Sequence, residues 1–137
     1  KSWERYGIHA LEAVYPVLGP GFLSVQARQH GGSTMAHLAH HSGVQVTLAA
    51  VHDAYGSFGA VHAYGTKGDF ALKLAGTYAA FRAQLMAFIE LLRTGKPPLP
   101  FSQTVELMAI LIAGIRSRAE GGREVPLREI LDQLDAA

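Results

Sequence analysis

"FLSVQARQHGGSTMAHLAHHSGVQVTLAAVH", Phe22 to His52, is the stretch that decides the fold. Gly31-Gly32 and Ser42-Gly43 cut it into three segments. Each segment alternates apolar and polar residues with the two-residue period of a strand. In the last one, Val44, Val46, Leu48 and Ala50 take one side. Gln45, Thr47, Ala49 and Val51 take the other. Short turns between consecutive strands require antiparallel pairing. Two further segments, "AVHAYG" and "DFALKL", follow across an "AYGSFG" loop and a Thr66-Lys67-Gly68 turn. The expectation is an α+β domain with an open, mainly antiparallel sheet of about five or six strands.

On either side of this stretch the pattern is helical. Upstream, Ile8, Leu11, Tyr15 and Leu18 fall at helical spacing, with the regular part over about Gly7 to Val14. Pro16 is expected to bend or end it, because proline disfavours helical geometry in the residue before it. Downstream, Tyr78, Phe81, Leu85, Phe88 and Leu92 make one apolar stripe. Gly95 and the stiff Lys96-Pro97-Pro98-Leu99-Pro100 connector close that helix, and Ser102 is a candidate N-cap for the next. The next helix is apolar nearly all round from Val105 to Ile115, and should be the most buried. Arg116 and Arg118 suit its C-terminal dipole. Gly121-Gly122 ends it, and Leu127, Ile130, Leu131 and Leu134 mark a last short helix.

The charge distribution limits what this sheet can do. Between Gly19 and Gly65 the charged residues are Arg28 and Asp53, histidines aside. A sheet face in water ordinarily alternates with strongly polar side chains. Here the second face carries Gln, Thr, Ser, Ala and His. With the helices covering the first face, the second is expected to be covered by another subunit or domain. A mildly polar solvated face is the alternative.

At 137 residues the chain is one domain, 1–137, with a sizeable core. Its net charge of +1 argues against a nucleic-acid binder working through a basic face. No apolar run reaches the roughly 18 residues of a membrane helix. The sequence holds no cysteine, which removes disulfide and thiolate chemistry. No signal peptide pattern is visible, so a cytoplasmic location is the expectation. The start at Lys1 points to a domain cut from a longer protein.

Seven histidines raise the question of a metal. His37 and His41 share a strand face but lie about 13 Å apart at roughly 3.3 Å per residue. His40 points to the opposite side. Polar sheet-face or interface histidines are the simpler reading. "GTKGD", Gly65 to Asp69, lacks the spacing of a phosphate loop and reads as a hairpin turn. Neither a dinucleotide fingerprint nor a zinc helix pair occurs. His9, in "RYGIHALE", lies off the core stripe with Glu12 three residues on. Glu12 is placed to orient the imidazole. On physical grounds alone a surface or structural histidine is the more common case.

The order of strand meander, "GTKG" turn and "FRAQLMAFIELLRTGKPPLPFSQTVELMAILIAGIRSRAEGGREVPL" resembles the C-terminal domain of the Gfo/Idh/MocA oxidoreductases. These are the glucose–fructose oxidoreductase and inositol dehydrogenase relatives. The most specific part runs from Phe88 to Leu127, and "YGIHALEAVYPVLG" is similar to the family's histidine helix. The resemblance implies a missing N-terminal Rossmann domain that binds NAD or NADP. It also implies a homodimer through the bare sheet face, and a sugar, polyol or related hydroxylated small molecule held between the domains. His9 would then be the catalytic histidine, with Arg5 and Glu12 on the substrate side. The fragment alone would be inactive. The family often carries aspartate four residues before this histidine, where this chain has Arg5. That departure keeps a second reading open, a non-catalytic oligomerisation or ligand-sensing module on the same fold.

Overall fold

The computed structural model describes residues 2–54, 59–73 and 76–135. In chain order the elements are α1 (Trp3–Leu18), β1 (Phe22–His30), β2 (Ser33–His40) and β3 (Gln45–Ala50). Then come β4 (Ala60–Gly65), β5 (Gly68–Lys73), α2 (Thr77–Thr94) and α3 (Phe101–Ala119). β6 (Glu124–Pro126) and α4 (Arg128–Asp135) complete the chain. The class is α+β and every strand pair is antiparallel. The strands divide between two sheets: a four-stranded one in the order β3-β2-β1-β6, and the separate hairpin β4-β5. Most of the "AYGSFG" loop and Leu74 of "DFALKL" lie outside the described residues.

The alternation read in the sequence sets the faces of the main sheet. Val25, Ala27, Ala36, Leu38, Val46, Leu48 and Ala50 are buried. Against them pack α1 and α3, with α4 beside α3 and β6. The opposite face exposes Leu23, Gln26, Arg28, Met35, His37, Gln45, Thr47 and Ala49. Gly31 and Gly32, both at positive φ, make the tight β1–β2 turn that feeds the right-handed twist of the strands. The β2–β3 connection is longer than a two-residue turn. His40 N–H bonds the Val44 carbonyl at 3.1 Å, and Gly43 N–H bonds the His40 carbonyl at 2.9 Å.

α1 is longer than its spacing suggested and carries Pro16 inside it. Trp3 explains why the helix starts early. Its ring is fully buried, and its Nε1 donates to the Leu111 carbonyl at 3.1 Å. Gly7 and Gly114 leave room for it. A Cβ at Gly114 would lie 2.7 Å from Trp3 Nε1, and one at Gly7 would lie 3.0 Å from the Trp3 and Leu111 side chains. α3 is the most buried helix, as expected, with Leu107, Ala109, Ile110, Leu111, Ala113, Gly114 and Ser117 inside. It begins at Phe101 with Pro100 as its cap residue, so Ser102 sits in the first turn and not at the N-cap.

α2 departs most from expectation. The sequence places its stripe against the sheet with the other helices, but α2 buries no residue. Only Ala87 and Leu91 are half-covered. Neither α2 nor the β4-β5 hairpin makes a packed interface with the main sheet or its helices, and the segment from β4 to α2 is called the arm below. β6 was not visible in the sequence. Its three residues pair with β1 through Ser24↔Pro126, Val25↔Val125 and Gln26↔Glu124.

Candidate functional site

α1 turns one side to the core through Trp3, Gly7, Leu11 and Tyr15. The adjacent side, with Tyr6, His9, Ala10, Ala13, Val14 and Val17, lines a cleft of about 1070 Å³. β3 forms its floor from Val44 to Val51. β4 and β5 form the far wall with Val61, His62, Tyr64, Phe70 and Lys73. β3 is the outer strand of its sheet, so its unpaired edge borders this space.

His9 is therefore on a cleft wall. Its Nδ1 lies 3.3 Å from Glu12 Oε2, both side chains about half-exposed. The i, i+3 spacing on α1 produces the pair, as expected from the sequence. A carboxylate on Nδ1 favours the tautomer that leaves Nε2 as acceptor. Tyr6 lies 6.2 Å from His9, ring centre to ring centre. Glu12 does not line the cleft, and it acts on the site through His9. Arg5 is exposed and also off the cleft lining, so the structure does not bring all three predicted residues to one surface.

A second histidine faces the same space. His62 Nε2 lies 3.0 Å from Asp69 Oδ2, and the Tyr64 hydroxyl lies 3.2 Å from His62 Nδ1. The hairpin register creates this group. Gly65 pairs with Gly68 and Tyr64 with Asp69, which puts His62 diagonal to Asp69 on the same face. Sequence reading missed it, although a two-residue turn at Thr66-Lys67 is enough to derive that register. The cleft thus combines an apolar body with two histidines, each beside a carboxylate.

The dense histidine cluster is structural. His37 Nε2 lies 2.7 Å from Gln45 Oε1 on the exposed sheet face. His40 is buried on the core side, between Ser42 Oγ at 2.8 Å and the Pro20 carbonyl at 3.2 Å. Among the described residues, no group of three or more His, Asp or Glu is placed to hold a metal ion. No helix among them is long and apolar enough to cross a membrane.

Two polar groups, the half-buried Glu106 and the buried Ser117, hold the scaffold behind the cleft. Glu106 accepts the Tyr15 hydroxyl at 2.6 Å and the Gly21 and Phe22 N–H groups at 2.7 and 2.8 Å. Burial, and then the Glu106 carboxylate, push the Tyr15 hydroxyl well above the ordinary tyrosine range. Ser117 Oγ accepts the Ala27 N–H at 2.8 Å and reaches the Arg123 carbonyl. Beside it, Arg118 pairs with Glu4 of α1 and donates to Gln29 at 2.7 Å.

No family model, no curated protein and no solved structure matches this chain.

Proposed function

We propose that the chain is the substrate-binding and dimerisation domain of an NAD(P)-dependent oxidoreductase of the Gfo/Idh/MocA type. Its substrate would be a sugar, polyol or related hydroxylated small molecule. The observation that carries this reading is His9, oriented by Glu12, on the wall of a cleft large enough for a sugar-sized ligand. It supports the assignment that the motif resemblance implies. In that assignment His9 hydrogen-bonds the reacting hydroxyl or relays its proton while hydride passes to the nicotinamide. NAD or NADP would sit in a dinucleotide-binding domain upstream of Lys1. The weakly polar sheet face around Met35, Thr47 and Ala49 is the surface proposed for the homodimer.

One observation favours a second reading. Arg5 stands where an aspartate is common in the family, and it is off the cleft. A non-catalytic oligomerisation or ligand-sensing module on the same fold would need no charged partner there.

The test uses the natural protein that contains this chain. NAD(P)H production is followed across a panel of polyols and aldoses, with His9→Ala beside the unaltered protein. The oxidoreductase reading expects reduction of the cofactor, and a loss of kcat of about 100-fold or more in the variant. A natural protein that binds polyols without turnover supports the module, and turnover that survives His9→Ala unchanged removes the catalytic assignment of His9.

A further inference from the structure

Two apolar seams on consecutive helices lie open. On α2, Tyr78, Phe81, Leu85, Phe88 and Leu92 are each more than half exposed. On α3, Phe101, Met108, Ile112 and Ile115 are exposed, with Val105 half-buried between them. Both seams step by alternating threes and fours. That is the spacing at which helices pack side by side in a long seam. They match in length, and they carry no charge. The acidic residue of that part of α3, Glu106, is turned inward to Tyr15 and β1. A large open apolar surface of this kind marks an interaction site.

The two seams do not meet within the chain. Gly95 caps α2 in the left-handed conformation, and Pro97, Pro98 and Pro100 follow. The connector bends at Pro98 and Leu99, and its prolines restrict its freedom. α2 makes no packed interface with α3.

We propose that the arm docks on a second copy of the chain, α2 of each copy lying along α3 of the other. Each copy carries one seam of either kind, so a twofold arrangement pairs all four and closes. The absence of charge in both seams means that no ion is stripped of water in the process. Large aromatic and aliphatic side chains, repeated over two exposed seams, are the kind of surface from which a stable interface of roughly 1,200–2,000 Å² is built. This pairing is independent of the oxidoreductase reading and of the sheet-face contact.

The chain has no cysteine, so engineered thiols report without background. Leu85 and Met108 are the midpoints of the two seams and oppose one another whether the helices run parallel or antiparallel. Leu85→Cys and Met108→Cys proteins are mixed and oxidised under mild conditions. A disulfide-linked heterodimer as the dominant product is expected. In parallel, Phe81→Glu with Phe88→Glu is expected to halve the mass seen by light scattering while Trp3 fluorescence stays native. Dimers held only by the sheet face give no Leu85–Met108 link. That result, closure of the link within single chains when one protein carries both Leu85→Cys and Met108→Cys, or an unchanged mass in the glutamate variant, would overturn the proposal.

Discussion

The Tyr15 hydroxyl donates to Glu106 at 2.6 Å, across the junction of α1 and α3. The same carboxylate takes the N–H groups of Gly21 and Phe22, where the chain enters β1. One side chain thus joins both helices to the start of β1, an inner strand of the sheet. Glu106→Gln keeps the shape but gives up the charge and one acceptor. A loss of about 1.5–3 kcal/mol is expected, since hydrogen bonds to a charged group fall in that range. Denaturant unfolding followed by Trp3 fluorescence measures it.

The same pair makes stability depend on alkaline pH. Tyr15 ionises above its ordinary value of 10.0 in the folded chain, because burial and Glu106 both disfavour the phenolate. The unfolded chain releases this proton near the ordinary value. Stabilisation is therefore complete below pH 10 and is lost as pH rises beyond it, by up to about 1.4 kcal/mol per pH unit. Tyr15→Phe is expected to remove this slope. An identical alkaline slope in the variant would show that other groups cause it.

Gly114 is a packing requirement. A methyl group there would meet the Trp3 ring at 2.7 Å. Gly114→Ala is expected to cost about 1–3 kcal/mol as an overpacking change. Trp3 is the chain's single tryptophan, so its emission reports directly on the disturbed contact.

Ser117→Ala removes the acceptor of a buried N–H, that of Ala27. The expected loss is about 1–3 kcal/mol, the desolvation cost of a donor left unpaired. Hydrogen exchange at Ala27 should accelerate more than at Val25. Equal acceleration at both would point to global loosening.

His9→Ala is expected to shift unfolding by less than about 0.5 kcal/mol, because an exposed i, i+3 pair contributes little. A larger loss in denaturant unfolding would make His9 a structural residue.

The sheet face has its own test. Met35→Arg projects from an exposed position on β2, outside the cleft, and should not disturb the core. A drop in solution mass at native circular dichroism is the outcome expected of a sheet-face dimer. An unchanged mass would show that the face is solvated.

The strands were legible because a half-buried strand repeats every two residues, and Gln45 to Ala50 buries every second residue without a break, Val44 before it being exposed. The position of α2 was not. A stripe such as Tyr78 to Leu92 says that a helix has something to bury against, but not what, and the rigid prolines that follow are a geometric constraint the periodicity does not contain. β6 is too short to show a period at all. Its three residues become a strand because β1 has a free edge next to them. His9 and Glu12 were readable as neighbours on a helix, but that His9 alone of the three predicted residues lines the cleft could not be read from spacing. His62 and Asp69 needed the hairpin register, a relation between strands and not along one.

The core is assembled from two pieces of chain, Trp3 to Ala50 and Phe101 to Asp135, and the arm runs between them. To the folding core that arm is a tether. Closing it costs entropy that grows only with the logarithm of its length, about 0.6 kcal/mol for each doubling. The core should therefore tolerate replacement of Val51 to Pro100 by a short flexible bridge. Arm length and composition are then free to vary without unfolding the part that carries His9, although removing β4 and β5 takes away one wall of its cleft.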